Sequence, residues 1–300
     1  MKTLRIIVYF QFFFSILNGQ EINSFKTSDG ESLFYAKTGT GPVIVLLCGG
    51  PGLAASYLQP WADTLSDNFE CIIFDQRGTG LSTDVKLDST TINLQRAVLD
   101  IDDLRMHLGK SKISLCGFSW GGGLAQAYAA NFPKNVNKIV LVSTMGPDMT
   151  LMSAFSDNIN MRRYPNEIDS LNYFDKQPEN PNTNLKKAVF FFLPYVYDHQ
   201  LGYNLLLKVI SSTKNNPKMN ELMMKDLYKN YDLKSKLPHY KGQCIIIKPR
   251  QDVTPEETTL KIKDLLPKTK YISIERSGHF PDLENPKSFY PALRKAFSKN

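Results

Sequence analysis

Cysteine and histidine are scarce in this chain, at four residues each in 300. Cys48, Cys71, Cys116 and Cys244 stand far apart, without the short spacings that bring thiolates and imidazoles around a metal ion, so no metal centre is expected. Each lies in or at the end of an apolar run and reads as a small core hydrophobe; a disulfide between some of them is the alternative. Lys and Arg outnumber Asp and Glu, for a formal net charge of +7, but they are scattered rather than gathered into a stripe. Nothing in that pattern points to nucleic acid. Internal repeats and low-complexity tracts are also missing. With 42% apolar and 22% charged residues, the chain can bury a substantial core, and disorder is not expected.

The longest apolar run, Ile6 to Leu17, is broken only by Gln11 and Ser15 and comes after the basic start Met1-Lys2-Thr3-Leu4-Arg5. Twelve helical residues reach about 18 Å, against a hydrocarbon core of about 30 Å. Residues 1–19 are therefore expected to be a signal peptide, cleaved after Gly19, that exports the protein to the periplasm or beyond the cell. No stable membrane insertion is expected after cleavage. An uncleaved N-terminal tether is the alternative.

The rest of the chain is rich in short apolar runs: Val43-Ile44-Val45-Leu46-Leu47, Cys71-Ile72-Ile73-Phe74, the stretch around Leu115, Ile139-Val140-Leu141-Val142 and Cys244-Ile245-Ile246-Ile247. Continuous apolarity means burial on both faces, the mark of a mostly parallel sheet covered by helices. Ser32 to Ala36 and Tyr271 to Ile274 predict further strands, and helical spacing predicts helices over Leu94–Leu108, Glu256–Leu266 and Pro286–Phe297. Strand and helix alternate, which predicts a doubly wound α/β domain over 20–147 and 240–300. Between them, 148–239 shows only helical spacing and is expected to form an inserted helical cap.

One stretch carries the chemistry. Gly117-Phe118-Ser119-Trp120-Gly121 lies between a strand pattern and a small-residue helix pattern. The G-x-S-x-G spacing places a serine at the tip of a strained strand-to-helix turn, where side chains at the glycine positions would collide with their neighbours. A serine hydroxyl needs a base to take its proton, and the base needs a third group to orient it. Asp252 directly follows one predicted strand and His279 the next, giving the chain order Ser, Asp, His. Asp148 rivals Asp252, since it too follows a strand. His107, His199 and His239 read as packing or surface histidines, and Asp102 and Asp103 as a solvated helix face. Negative charge developing on an attacked carbonyl oxygen needs two backbone N–H donors. Trp120, after the serine, and Gly50, in the loop Cys48-Gly49-Gly50-Pro51-Gly52, are placed to supply them. Such chemistry needs no cofactor.

Four stretches together resemble the α/β-hydrolase superfamily and, within it, the proline iminopeptidase group of serine peptidases. They are Gly49-Gly50-Pro51-Gly52, Asp75-Gln76-Arg77-Gly78-Thr79-Gly80, Gly117 to Gly122, and the Asp252 and His279 loops. The resemblance implies an enzyme that releases N-terminal residues from short peptides, with Asp75 and Arg77 holding the loops around the site and cap acids meeting the substrate's free amine. Glu167, Glu179, Asp198 and Glu221 are candidates for that contact, each otherwise a solvated carboxylate. The chain departs from the family at Cys48, usually histidine, at Pro249, usually glycine, and in a cap without tryptophan, both Trp61 and Trp120 lying in the core. An esterase or lactonase acting on a small molecule would share every catalytic residue. A non-catalytic binding module on the same fold is a further alternative. Haloalkane dehalogenase and epoxide hydrolase chemistry would need an aspartate in place of Ser119.

Overall fold

The apolar runs become the middle of an eight-stranded sheet. The computed structural model describes residues 21–298, so the expected signal peptide lies outside the described residues. The strands are β1 (Glu21–Lys26), β2 (Ser32–Thr38), β3 (Val43–Leu47), β4 (Glu70–Phe74), β5 (Ile113–Phe118), β6 (Val136–Val142), β7 (Gln243–Pro249) and β8 (Lys270–Ile274), in the spatial order β1-β2-β4-β3-β5-β6-β7-β8. From β4 across to β8 every neighbouring pair is parallel, while β2 runs antiparallel to both β1 and β4. β1 is the strand that the sequence pattern does not announce. Its residues EINSFK are mostly exposed, and only Phe25 is buried, so the two-residue period carries almost no apolar signal.

Alternate residues of the central strands feed two cores. On one face Val43, Val45, Leu47, Leu115 and Ile139 pack with α2 (Leu94–His107) and α3 (Trp120–Asn131); on the other, Ile44, Leu46, Cys116 and Val140 pack with α1 (Gln59–Leu65) and α11 (Pro286–Phe297). α9 (Glu256–Leu265) links β7 to β8, and a single turn, α10 (Pro281–Glu284), precedes α11.

The helical insertion comprises α4 (Met152–Arg162), α5 (Pro165–Asp175), α6 (Pro181–Phe192), α7 (His199–Ser212) and α8 (Pro217–Asn230). It lies against the loops at the carboxyl ends of the strands. The Asn216 side chain donates to the Gly78 carbonyl, Asn220 to that of Pro51, and Tyr231 to that of Gly146. α5 is stapled to α7 by Glu167, whose Oε1 lies 2.5 Å from His199 Nδ1 while Oε2 accepts the Tyr164 N–H. Glu167 is thus buried rather than solvated, 2% exposed, because a helix N-terminus and an imidazole both turn toward it.

α2 corrects a second expectation. Asp102 and Asp103 are buried rather than on a solvated face. Asp102 Oδ1 accepts from Arg105, Tyr128 and Asn135, and Asp103 accepts the Ser28 N–H. Their helical spacing is that of a polar face, but the face is covered by α3 and by the β1–β2 turn.

Candidate active site

Ser119 sits between β5 and α3 with φ 53° and ψ −116°, a left-handed backbone in a residue that carries a Cβ. The flanking glycines make that turn sterically available. A Cβ on Gly117 would lie 2.2 Å from the Gly121 carbonyl oxygen, and one on Gly121 would lie 2.0 Å from that of Leu47. Gly49 closes in from the loop after β3, where a Cβ would stand 3.0 Å from Ser119 Cβ.

The Ser119 hydroxyl is 3.0 Å from His279 Nε2, and His279 Nδ1 is 2.8 Å from Asp252 Oδ1. These three groups come from the loops after β5, β7 and β8, so the sheet brings together residues 160 positions apart. Asp252 is fully enclosed. Burial alone would raise its pKa, but Lys248, His279 and the Thr254 N–H more than offset it and hold the carboxyl well below the usual range. Lys248 is itself buried, with Nζ 3.5 Å from Asp252 Oδ2 and 2.6 Å from the Thr254 carbonyl oxygen. An ionised carboxylate on Nδ1–H leaves Nε2 free to accept the serine proton, which is the geometry of an activated hydroxyl.

Asp148 does not reach this centre. It accepts from the Thr150 N–H and hydroxyl and lies 3.3 Å from Lys261 Nζ. His107 packs on Phe25 and Tyr35, and His239 Nδ1 lies 3.1 Å from the Lys236 carbonyl oxygen. The Asp-Gln-Arg loop after β4 acts one layer out. Asp75 accepts the Ala55 and Leu81 N–H groups, and Gln76 donates to the Cys48 carbonyl while accepting from the Trp120 indole, which ties the Gly49-Gly50 loop to α3. Arg77 turns away and pairs with Asp100 and Asp29, 2.6 Å to each. All four cysteines are free and buried, and burial pushes the Cys48 thiol far above its ordinary value. Among the described residues, no group of three or more His, Cys, Asp and Glu side chains could hold a metal ion.

Four side chains around this centre carry no motif in the sequence. Lys248 is one. Tyr195, in the segment between α6 and α7, packs its ring 5.5 Å from that of His279. Arg162 of α4 donates to the carbonyls of Gln251 and Asp252, and Glu284 of α10 accepts the Gly278 and Phe280 N–H groups on either side of His279. Lys248 meets Asp252 four residues on, past the end of a strand where no helical spacing marks the pair, and the other contacts are long-range or made to backbone.

The model of the alpha/beta hydrolase fold matches residues 42–286, which takes in the Ser119 turn, both partner loops and the insertion. The chain belongs to the α/β-hydrolase family. Among its relatives are a proline iminopeptidase of Heyndrickxia coagulans, 24% identical over 86% of this chain and 91% of that protein, and one of Clostridium botulinum, 25% identical over 88% and 92%. A cis-3-alkyl-4-alkyloxetan-2-one decarboxylase of Shewanella oneidensis is 29% identical over 40% of this chain and 38% of that one. Among solved structures, an α/β-fold hydrolase of Bacillus anthracis superposes with a TM-score of 0.76 at 20% identity, covering 93% of this chain and 99% of its own. A thermophilic esterase of Thermogutta terrifontis gives 0.68 at 22% identity, covering 93% and 100%. Within this α/β-hydrolase, Ser119 stands at the carboxyl end of the central strand β5, under the helical insertion.

Proposed function

We propose that the protein is a serine hydrolase acting by acyl transfer, releasing N-terminal residues from short peptides. The observation that carries this reading is the chain of contacts from Ser119 Oγ through His279 to Asp252, at 3.0 and 2.8 Å. In the proposed reaction, the Ser119 oxygen attacks the carbonyl carbon of the N-terminal residue while His279 Nε2 takes the hydroxyl proton. Asp252 fixes the imidazole tautomer and stabilises the imidazolium. The Gly50 and Trp120 N–H groups receive the oxyanion, and His279 returns the proton to the leaving amine. Water then repeats the sequence against the acyl-enzyme. Similarity to proline iminopeptidases over most of both chains supports a peptide substrate.

One observation favours a second reading, hydrolysis of an ester or lactone. The four acids that could meet a substrate amine are occupied or exposed: Glu167 by His199 and Tyr164, Asp198 by the Gln200 and Leu201 N–H groups, and Glu221 by Lys218, while Glu179 faces solvent. A panel of aminoacyl-naphthylamides, prolyl included, set against p-nitrophenyl esters decides between the two. Turnover of the prolyl amide above the esters supports the peptidase; ester turnover with inert amides overturns it. A protein that turns over neither and resists a fluorophosphonate probe is not a serine hydrolase.

For export, the basic start and short apolar run of residues 1–19 are the support. N-terminal sequencing of the protein recovered from the periplasm or medium tests cleavage after Gly19.

A further inference from the structure

The loop carrying His279 is not held by the sheet alone. Its backbone runs against residues 195–197 of the helical insertion. The His279 N–H donates to the Tyr195 carbonyl at 2.6 Å, and a Cβ on Gly278 would lie 2.3 Å from that same oxygen. Glu284 stands at this junction. Its Oε1 accepts the Gly278 N–H at 3.0 Å and the Phe280 N–H at 3.2 Å, and its Oε2 accepts the Tyr197 N–H at 2.5 Å. One carboxylate thus binds both residues flanking the imidazole and, with its other oxygen, the root of the insertion. The insertion grips the neighbouring loop by the opposite polarity. Asn158 and Arg162 of α4 donate to the carbonyls of Val253, Gln251 and Asp252.

We propose that Glu284 is a positioning residue that makes the placement of His279 depend on how the helical insertion is seated. This rests on His279 being the base for Ser119. Three backbone N–H groups donating to the two oxygens of one side chain fix the 278–280 backbone to the insertion more tightly than a single contact would. When residues 195–197 shift with the insertion, the Tyr197 N–H moves, the carboxylate follows, and Gly278 and Phe280 move with it. Glu284 adds to two direct contacts between the same segments, the His279 N–H to the Tyr195 carbonyl and the Tyr195 ring against His279.

The test uses the full chain and the rate at which a fluorophosphonate modifies Ser119. In that reaction the serine oxygen forms a P–O bond, the P–F bond breaks with loss of fluoride, and His279 takes the hydroxyl proton. The rate therefore reads the Ser119–His279 geometry directly. Glu284→Gln keeps the size but sets an amide N–H where an oxygen accepted. Tyr197→Pro deletes the insertion's N–H donor together with the Tyr197 ring, whose loss alone is read from Tyr197→Ala, and Val196 before it is extended, φ −98° and ψ 157°, as a residue preceding proline must be. The expected result is a modification rate about 10- to 100-fold lower in Glu284→Gln, a smaller fall in Tyr197→Pro, and a double variant no slower than Glu284→Gln, since both act through one contact. With a turned-over substrate, kcat should fall while KM stays within about threefold. Additive losses in the double variant overturn the coupling. A Glu284→Gln protein that reacts at the wild-type rate, or whose deficit equals its unfolded fraction by circular dichroism, overturns the positioning role. If the wild-type protein is not modified at all, the assignment of Ser119 falls first, and this proposal falls with it.

Discussion

Ser119 illustrates how much one residue can ask of its neighbours. Its left-handed backbone is sterically costly, and Gly49, Gly117 and Gly121 make room for it from a loop, a strand and a helix. Replacing the hydroxyl alone should leave that arrangement standing. Ser119→Ala is expected to lower kcat at least roughly a thousandfold and to abolish fluorophosphonate labelling, with an unchanged circular dichroism spectrum. Lys248 bears on the same centre through charge. Its ammonium sits 3.5 Å from Asp252 and opposes the pull of that carboxylate on an imidazolium. In Lys248→Met the Asp252 carboxyl loses a cation that helps hold its pKa down, so the loss of stability in acid should begin at higher pH than in the wild-type protein, read by circular dichroism. An unmoved or lowered onset of acid unfolding would refute the charge argument. Ser119, Asp252 and His279 were legible because each sits at a place where chain order and strand ends constrain the chemistry. Lys248 and Glu284 were not, since a lysine at the end of a strand and an acid after a histidine look like ordinary surface charge until the fold encloses them.

Elements differ in how openly the sequence declares them. Val43–Leu47 and Pro286–Phe297 lie where their apolar pattern predicts, because burial on both faces or along one stripe leaves a periodic mark. β1 leaves none, being an exposed edge strand paired through its backbone. In the insertion, helical spacing is plain, but the pairing of α5 with α7 through Glu167 and His199 is not. These are polar residues that the pattern assigns to solvent. His199→Ala should leave the Glu167 carboxylate buried without its strongest partner, at a cost of about 1–3 kcal/mol. Hydrogen exchange should then quicken in α5 and α7 while β3, β5 and β6 keep their protection. Faster exchange across the whole sheet would mean that the insertion and the core unfold as one unit.

At the scale of the molecule, the site is an agreement among distant segments. Arg77 binds the loop after β4 to α2 and to the β1–β2 turn, through Asp100 and Asp29. Asp252 and Glu284 give opposite responses to pH. Asp252 is held below its ordinary value, so its contribution to stability is complete above about pH 4 and is lost only in strong acid. Burial pushes Glu284 from 4.5 up to about 7, against the three N–H bonds that favour its charged form. The folded protein therefore binds more protons than the unfolded chain between those values, and stability from this group declines as pH rises through them. Urea unfolding at pH 5 and pH 8 should show that decline in the wild-type protein and a smaller one in Glu284→Gln. An equal decline in both proteins would place its origin elsewhere.

The four cysteines supply a practical consequence. All are enclosed in the core, and burial pushes the Cys71 and Cys244 thiols up to about 12, so none offers a thiolate to a reagent near neutral pH. The native surface is thus silent to maleimide chemistry without any cysteine being removed. Met161, 84% exposed on α4, can take a single introduced thiol, and a fluorophore there, read by energy transfer from the core residues Trp61 and Trp120, would report the distance from the insertion to the sheet.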